Sequence, residues 1–138
     1  MKALNKKIQK SLYEYKSLDI KNKSIKIDIE NLENNIILKA LNEKEKLLFN
    51  VPLVNEDEYI QNEITRLRLK LKFNQGLKDK IENALKVLSS RELLLIQLRY
   101  FEKSNLSWSQ ISSKLGLKET YCMKLNNKII NKLSDFIL

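Results

Sequence analysis

Glycine and proline are nearly absent from this chain: its 138 residues include two Gly and one Pro. Tight reversals draw on residues that tolerate positive φ or that stop a helix. The chain therefore has few places to turn and must run as long helices between them, which makes the fold class all-α. Pro52 sits in 42–57, NEKEKLLFNVPLVNED. It removes a donor and biases Val51 toward extended backbone, so a first long helix is expected to end before it. Gly76 interrupts the helical period of 58–88 and weakens a helix by about 1 kcal/mol relative to Ala. A kink or break is expected near 73–77. Gly116 falls between two short apolar-periodic runs and marks the sharpest turn.

Upstream of Pro52 the apolar period alternates between three and four. Ile8, Tyr15, Asn22, Ile29 and Ile36 form one row at spacing seven, and Leu4, Ser11, Leu18, Ile25 and Leu32 form the other. This is an a/d seam of about five heptads. A lone Asn at an a position, here Asn22, can fix register and strand number. Ile8, Tyr15, Asn22, Ile25, Ile29, Leu32 and Ile36 are thus candidate oligomerisation residues. The same seam can instead close on the second helical stretch of the same chain, where Ile60, Ile64, Leu67, Leu71, Ile81, Leu85 and Leu88 recur. The reading adopted is a helical hairpin that also contributes to a homodimer. It occupies 1–88 with a loop near 42–57, and a second domain occupies 89–138.

That second domain opens on a capping-box pattern, Ser89 with Glu92, before the run RELLLIQLRYFEK. Four successive apolar residues, Leu93 to Ile96, predict a helix covered on more than one side. Ser107 to Leu133, SWSQISSKLGLKETYCMKLNNKIINKL, then has the spacing of a helix-turn-helix. Ser107 and Gln110 form another capping box. Ile111 and Leu115 share a face of the first helix, and Gly116 supplies the turn. Cys122, Leu125 and Ile129 share the inward face of the second. The outward face, with the turn before it, carries Lys118, Thr120, Tyr121, Lys124, Asn127 and Lys128, which can bond base edges and phosphates in a major groove. These residues and Ser107 are the candidate DNA-binding set.

Charge agrees with a polyanionic partner. The net charge is +9, and 91–138 carries eight Lys or Arg against four acids. Cys122, the only cysteine, reads as a buried thiol. The chain has no His and no Gly-rich phosphate loop, so no catalytic site, metal site or cofactor is expected. No apolar run approaches membrane length and the first residues lack a signal-peptide core, so a cytoplasmic protein is expected.

Residues 88–133, LSSRELLLIQLRYFEKSNLSWSQISSKLGLKETYCMKLNNKIINKL, resemble the C-terminal promoter-reading domain (region 4) of bacterial sigma factors. The whole layout, a long helical N-terminal part before such a domain, is similar to small phage regulators of the ArpU and RinA kind. The resemblance implies a late-gene activator that binds double-stranded DNA with 118–128 facing the promoter. It also implies that the helix at 91–103 meets RNA polymerase. Sigma factors usually carry arginines and a glutamate early in the recognition helix. Here Glu119, Thr120, Tyr121 and Met123 stand there instead, which implies a different promoter preference. Two other classes share these features: a DNA-packaging recognition subunit of the small-terminase kind, and a polymerase-binding adaptor that never touches DNA.

Overall fold

The computed structural model describes residues 2–38 and 57–137, with side chains from 5–34 and 58–137. Every element among them is a helix. They are α1 (Lys2–Leu38), α2 (Asp57–Leu85), α3 (Ser90–Ile96) continuing into a π-helical turn (Gln97–Phe101), α4 (Trp108–Leu115) and α5 (Glu119–Ile137). Apart from Asp57 at the start of α2, the 42–57 segment and Pro52 lie outside the described residues. None of these helices is long and apolar enough to cross a membrane.

The chain forms two compact units, and they do not divide at 88. One joins Met1–Asp19 to Gly76–Leu138, and the other is Ile20–Gln75. In the first unit, Ile8 and Leu12 of α1 are fully buried. They share one core with Ile81 of α2, Leu95 and Ile96 of α3, and Ile129, Ile130 and Leu133 of α5. Leu12 stands in neither heptad row, while its neighbour Ser11, a seam residue by sequence, is only partly covered. Here α1 faces several helices at once, so its buried stripe follows the spacing of a globular helix rather than a strict a/d seam. Within this unit Tyr15 Oη donates to Glu82 Oε1 at 2.9 Å, and Lys78 Nζ lies 2.6 Å from Asp19 Oδ1. Residue numbers rise on one helix as they fall on the other, so α1 and α2 pair antiparallel here.

In the second unit Ile25 and Ile29 of α1 are buried with Ile60, Ile64 and Leu67 of α2, and Leu32 and Leu71 pack at the edge. Arg68 Nη2 to Glu33 Oε1 at 2.7 Å joins the helices outside this seam. Of the two rows, Ile8, Asn22, Ile25 and Ile29 are buried and Tyr15 and Leu32 partly buried within the chain, which is the hairpin side of the expectation. Ile36 lies outside the described side chains. A second helix on the same chain is present at a high effective concentration, which favours it over another copy for the same apolar stripe.

No break follows Phe73: α2 runs unbroken through Gly76. Beyond it Ile81 is buried in the core of the first unit and Leu77 packs partly buried against it, and fully burying a side chain such as Ile81 contributes about 1.5–3 kcal/mol, more than the glycine costs. Asn22 is 6% exposed, and its Oδ1 has no hydrogen-bond partner among the described residues. An unmet buried acceptor costs about 1–3 kcal/mol. Asn22→Leu is therefore expected to raise the stability measured by urea unfolding by about 1–3 kcal/mol, and an unchanged or lower stability would show that Asn22 is satisfied. Leu12→Ala should cost about 2–5 kcal/mol and loosen α5 in hydrogen exchange, because its cavity opens in the core that α5 shares.

Candidate nucleic-acid interface

Local chemistry sets the ends of α4 and the turn after it. Ser107 Oγ accepts the Gln110 N–H at 3.2 Å, and Gln110 Oε1 accepts the Ser107 N–H at 2.8 Å, which satisfies two free donors at the helix start. Gly116 ends α4 in the left-handed region at φ +67°. Leu117 N–H then reaches back to Ser112 O at 3.1 Å, the six-to-one bond of a Schellman-type end. Nothing lies within 4 Å of a Cβ built on Gly116. The requirement for glycine there is conformational, not a matter of space. Lys118 completes the turn, and Glu119 in the first turn of α5 suits the positive end of the helix dipole.

The two faces of α5 are sharply different. Cys122, Leu125, Asn126, Ile129, Ile130 and Leu133 are buried. At 100° per residue they fill one side of the helix. The other side carries Thr120, Lys124 and Asn127 in a single row, with Tyr121 and Lys128 on one flank and Met123 on the other, and all are exposed. Every residue of the candidate set on α5 thus stands on one outward arc. Lys118 and Ser107 are exposed beside it, with the Ser107 hydroxyl engaged in the cap. Three exposed cations, Lys118 in the turn and Lys124 and Lys128 on the arc, have no ion-pair partner among the described residues, while the carboxylates of α5 stand at its two ends, Glu119 in the first turn and exposed Asp135 on the arc in the last.

Polar contacts hold α5 in that rotation, and the helical period alone does not predict them. Tyr100 Oη donates to Asn126 Oδ1 at 2.9 Å in the core. Burial pushes the Tyr100 phenol up to about 12, with Asn126 acting in the opposite sense, so it stays a neutral donor. The Tyr100 ring also meets Tyr13 of α1 edge-on, with centroids 4.7 Å apart. Lys132 Nζ lies 3.1 Å from both carboxylate oxygens of Glu92, tying α5 to α3, while Glu92 Oε1 accepts the Ser89 N–H. Burial raises the Glu92 carboxyl, but the Ser89 N–H and hydroxyl and the Lys132 ammonium together hold it below the ordinary glutamate value. Arg99 lies 4.3 Å from the Trp108 ring centroid and donates to Leu106 O at 2.9 Å, which fixes the approach to α4. One signal was present: Asn126 sits four residues from both Cys122 and Ile130, within an apolar row. The Glu92 to Lys132 pair has no local signature.

Cys122 lies on the inward side, and burial, helped by the Glu119 carboxylate, pushes its thiol above its ordinary value. On α3, Leu95 and Ile96 are buried while Leu94 is 44% exposed, so the expected cover on more than one side is incomplete among the described residues. No protein-family model, curated protein or solved structure matches the chain.

The Glu92 pair gives a signed test. A carboxyl held below its unfolded value contributes stability above about pH 4.3, and that contribution is lost as pH falls through the folded value. Glu92→Gln should lower stability near pH 7 by about 1–3 kcal/mol, with the gap from wild type closing toward pH 3. A gap that does not depend on pH would mean that the charge is immaterial.

Proposed function

We propose that this protein is a sequence-specific DNA-binding transcription regulator of the phage late-gene kind, with α4 and α5 as a helix-turn-helix like that of sigma region 4 and α5 as its reading helix. The observation that carries the proposal is the division of α5. One arc is clamped in the core, and the other presents the hydroxyl, amide and ammonium groups of Thr120, Tyr121, Lys124, Asn127 and Lys128, with its one carboxylate, Asp135, two turns beyond Lys128. Side chains of these types bond base edges, and lysines bond phosphates. By the resemblance of its sequence to ArpU- and RinA-type regulators, the protein acts in the cytoplasm with RNA polymerase as a further partner. A homodimer on DNA would set two reading helices about 34 Å apart, or a multiple of that, and so call for a repeated site.

One observation favours a second reading. Tyr121 and Met123 are 47% and 44% exposed on the same arc, and aromatic and Met side chains are enriched where proteins meet proteins. An adaptor that binds polymerase and leaves DNA alone would use them.

Sequencing the fragments of genomic DNA retained at two salt concentrations separates the two readings. Wild type is expected to enrich a short repeated element. Lys124→Ala should weaken retention of all fragments and reduce the salt dependence by the share of about one phosphate. Thr120→Ala or Asn127→Ala should shift preference among sites by about 1–3 kcal/mol where either reads a base. Absence of enrichment together with retained polymerase binding would select the adaptor.

A further inference from the structure

We propose that the first turns of α1 belong to the same DNA-binding surface, with a backbone phosphate of the duplex seated in the cleft between α1 and α5. The proposal rests on the reading of α5 given above and adds a second element to it.

The first ten residues of the chain include Lys2, Lys6, Lys7 and Lys10, and no acid occurs before Glu14. Ile8 and Leu12 hold this segment in the core of the C-terminal unit, so the lysines on its outer side are carried by a fixed helix. Gln9 and Tyr13, on the flank of α1, line a cleft whose other wall is Met123, Asn126 and Asn127 of α5 and whose floor includes Arg99. The cleft has a volume of ≈ 190 Å³. At about 30 Å³ per water, that is room for a phosphate group with solvent around it.

The cleft is chemically suited to an anion. Its lining contains no carboxylate. The Gln9 and Asn127 amides offer donors, and one Arg99 guanidinium nitrogen is engaged with Leu106 O, which leaves further N–H groups in the planar fork. Gln9 and Tyr13 also border a shallow groove on the outer side of α1 with Lys6, Lys10, Ser17 and one carboxylate, Glu14. Lys10 Nζ is 4.0 Å from Glu14 Oε1, with side chains 77% and 40% exposed. Such a pair is weak and readily screened, so Lys10 is available to a stronger anion.

Continuity decides between a small anion and a nucleic-acid strand. Asn127 and Met123 belong both to the cleft and to the outward arc of α5, while Gln9 and Tyr13 belong both to the cleft and to the lysine-bearing groove. Cations therefore stand on both sides of the cleft, Lys124 on the arc of α5 that Asn127 shares and Lys6 and Lys10 in the groove that Gln9 and Tyr13 share. A polymer of regularly spaced phosphates can meet both sides at once, whereas a single ion fills only the cleft.

The test measures the affinity of the full chain for a random-sequence DNA duplex by fluorescence anisotropy between about 50 and 200 mM salt. The double variant Lys6→Ala/Lys10→Ala is expected to lower the slope of log K against log salt by about 1.8, at about 0.9 for each phosphate left unneutralised. Gln9→Glu, which puts a carboxylate in the cleft, should weaken binding severalfold. Lys70→Ala/Lys72→Ala, exposed lysines of the other unit, should leave the slope unchanged. If Lys124→Ala flattens the slope and Lys6→Ala/Lys10→Ala does not, the role of α1 is overturned while α5 still reads DNA. Equal flattening by the Lys70/Lys72 variant would also overturn it, since any exposed lysine would then serve. If wild type shows no salt-dependent binding, the reading of α5 and its extension both fall.

Discussion

The C-terminal half depends on one hydrophobic core in which the first turns of α1 pack against α3 and α5. Ile8 and Leu12 come from one end of the chain, and Ile129, Ile130 and Leu133 from the other. A surface helix presents a defined face only when its opposite face is locked. Apolar burial supplies most of the free energy of that lock, and it has no direction of its own. The core therefore fixes where α5 sits more firmly than how it is rotated.

Rotation is set by the polar contacts. Tyr100 to Asn126 inside the core and Glu92 to Lys132 at its edge each demand a particular side chain at a particular angle. A turn of α5 by one residue would leave a phenol and an amide buried without partners, a cost of about 1–3 kcal/mol for each group. The outward arc of Thr120, Lys124 and Asn127 is held in place by what lies behind it. Arg99 over Trp108 extends this to the start of α4, and the Gly116 turn carries it from α4 to α5.

Much of this was legible in the sequence where the governing chemistry is local. Both capping boxes, the positive-φ turn at Gly116, the inward Cys122 and the all-helical character follow from residues three or four apart, and the helix period alone separates the two sides of α5. The course of α2 through Gly76 was not legible because propensity is weak against packing: a local preference of about 1 kcal/mol meets a buried Ile81 and a partly buried Leu77. The row from Ile8 to Leu32 was legible as a seam, but its partner was not, since a heptad pattern describes a stripe and leaves open what covers it.

What the sequence determined by itself is the all-helical character, the two capping boxes, the turn between α4 and α5, and which side of α5 is apolar. These follow from backbone sterics and side-chain period, which act within a few residues. The tertiary structure decided that α1 closes on its own chain and lends its first turns to the C-terminal core. It also decided that Asn126 and Lys132 serve as locks, and that Gln9 and Tyr13 stand beside Asn127. Those outcomes depend on contacts between residues as far apart as Lys16 and Glu102. At that distance the choice among partners is made by competing burials and unmet polar groups across the whole chain.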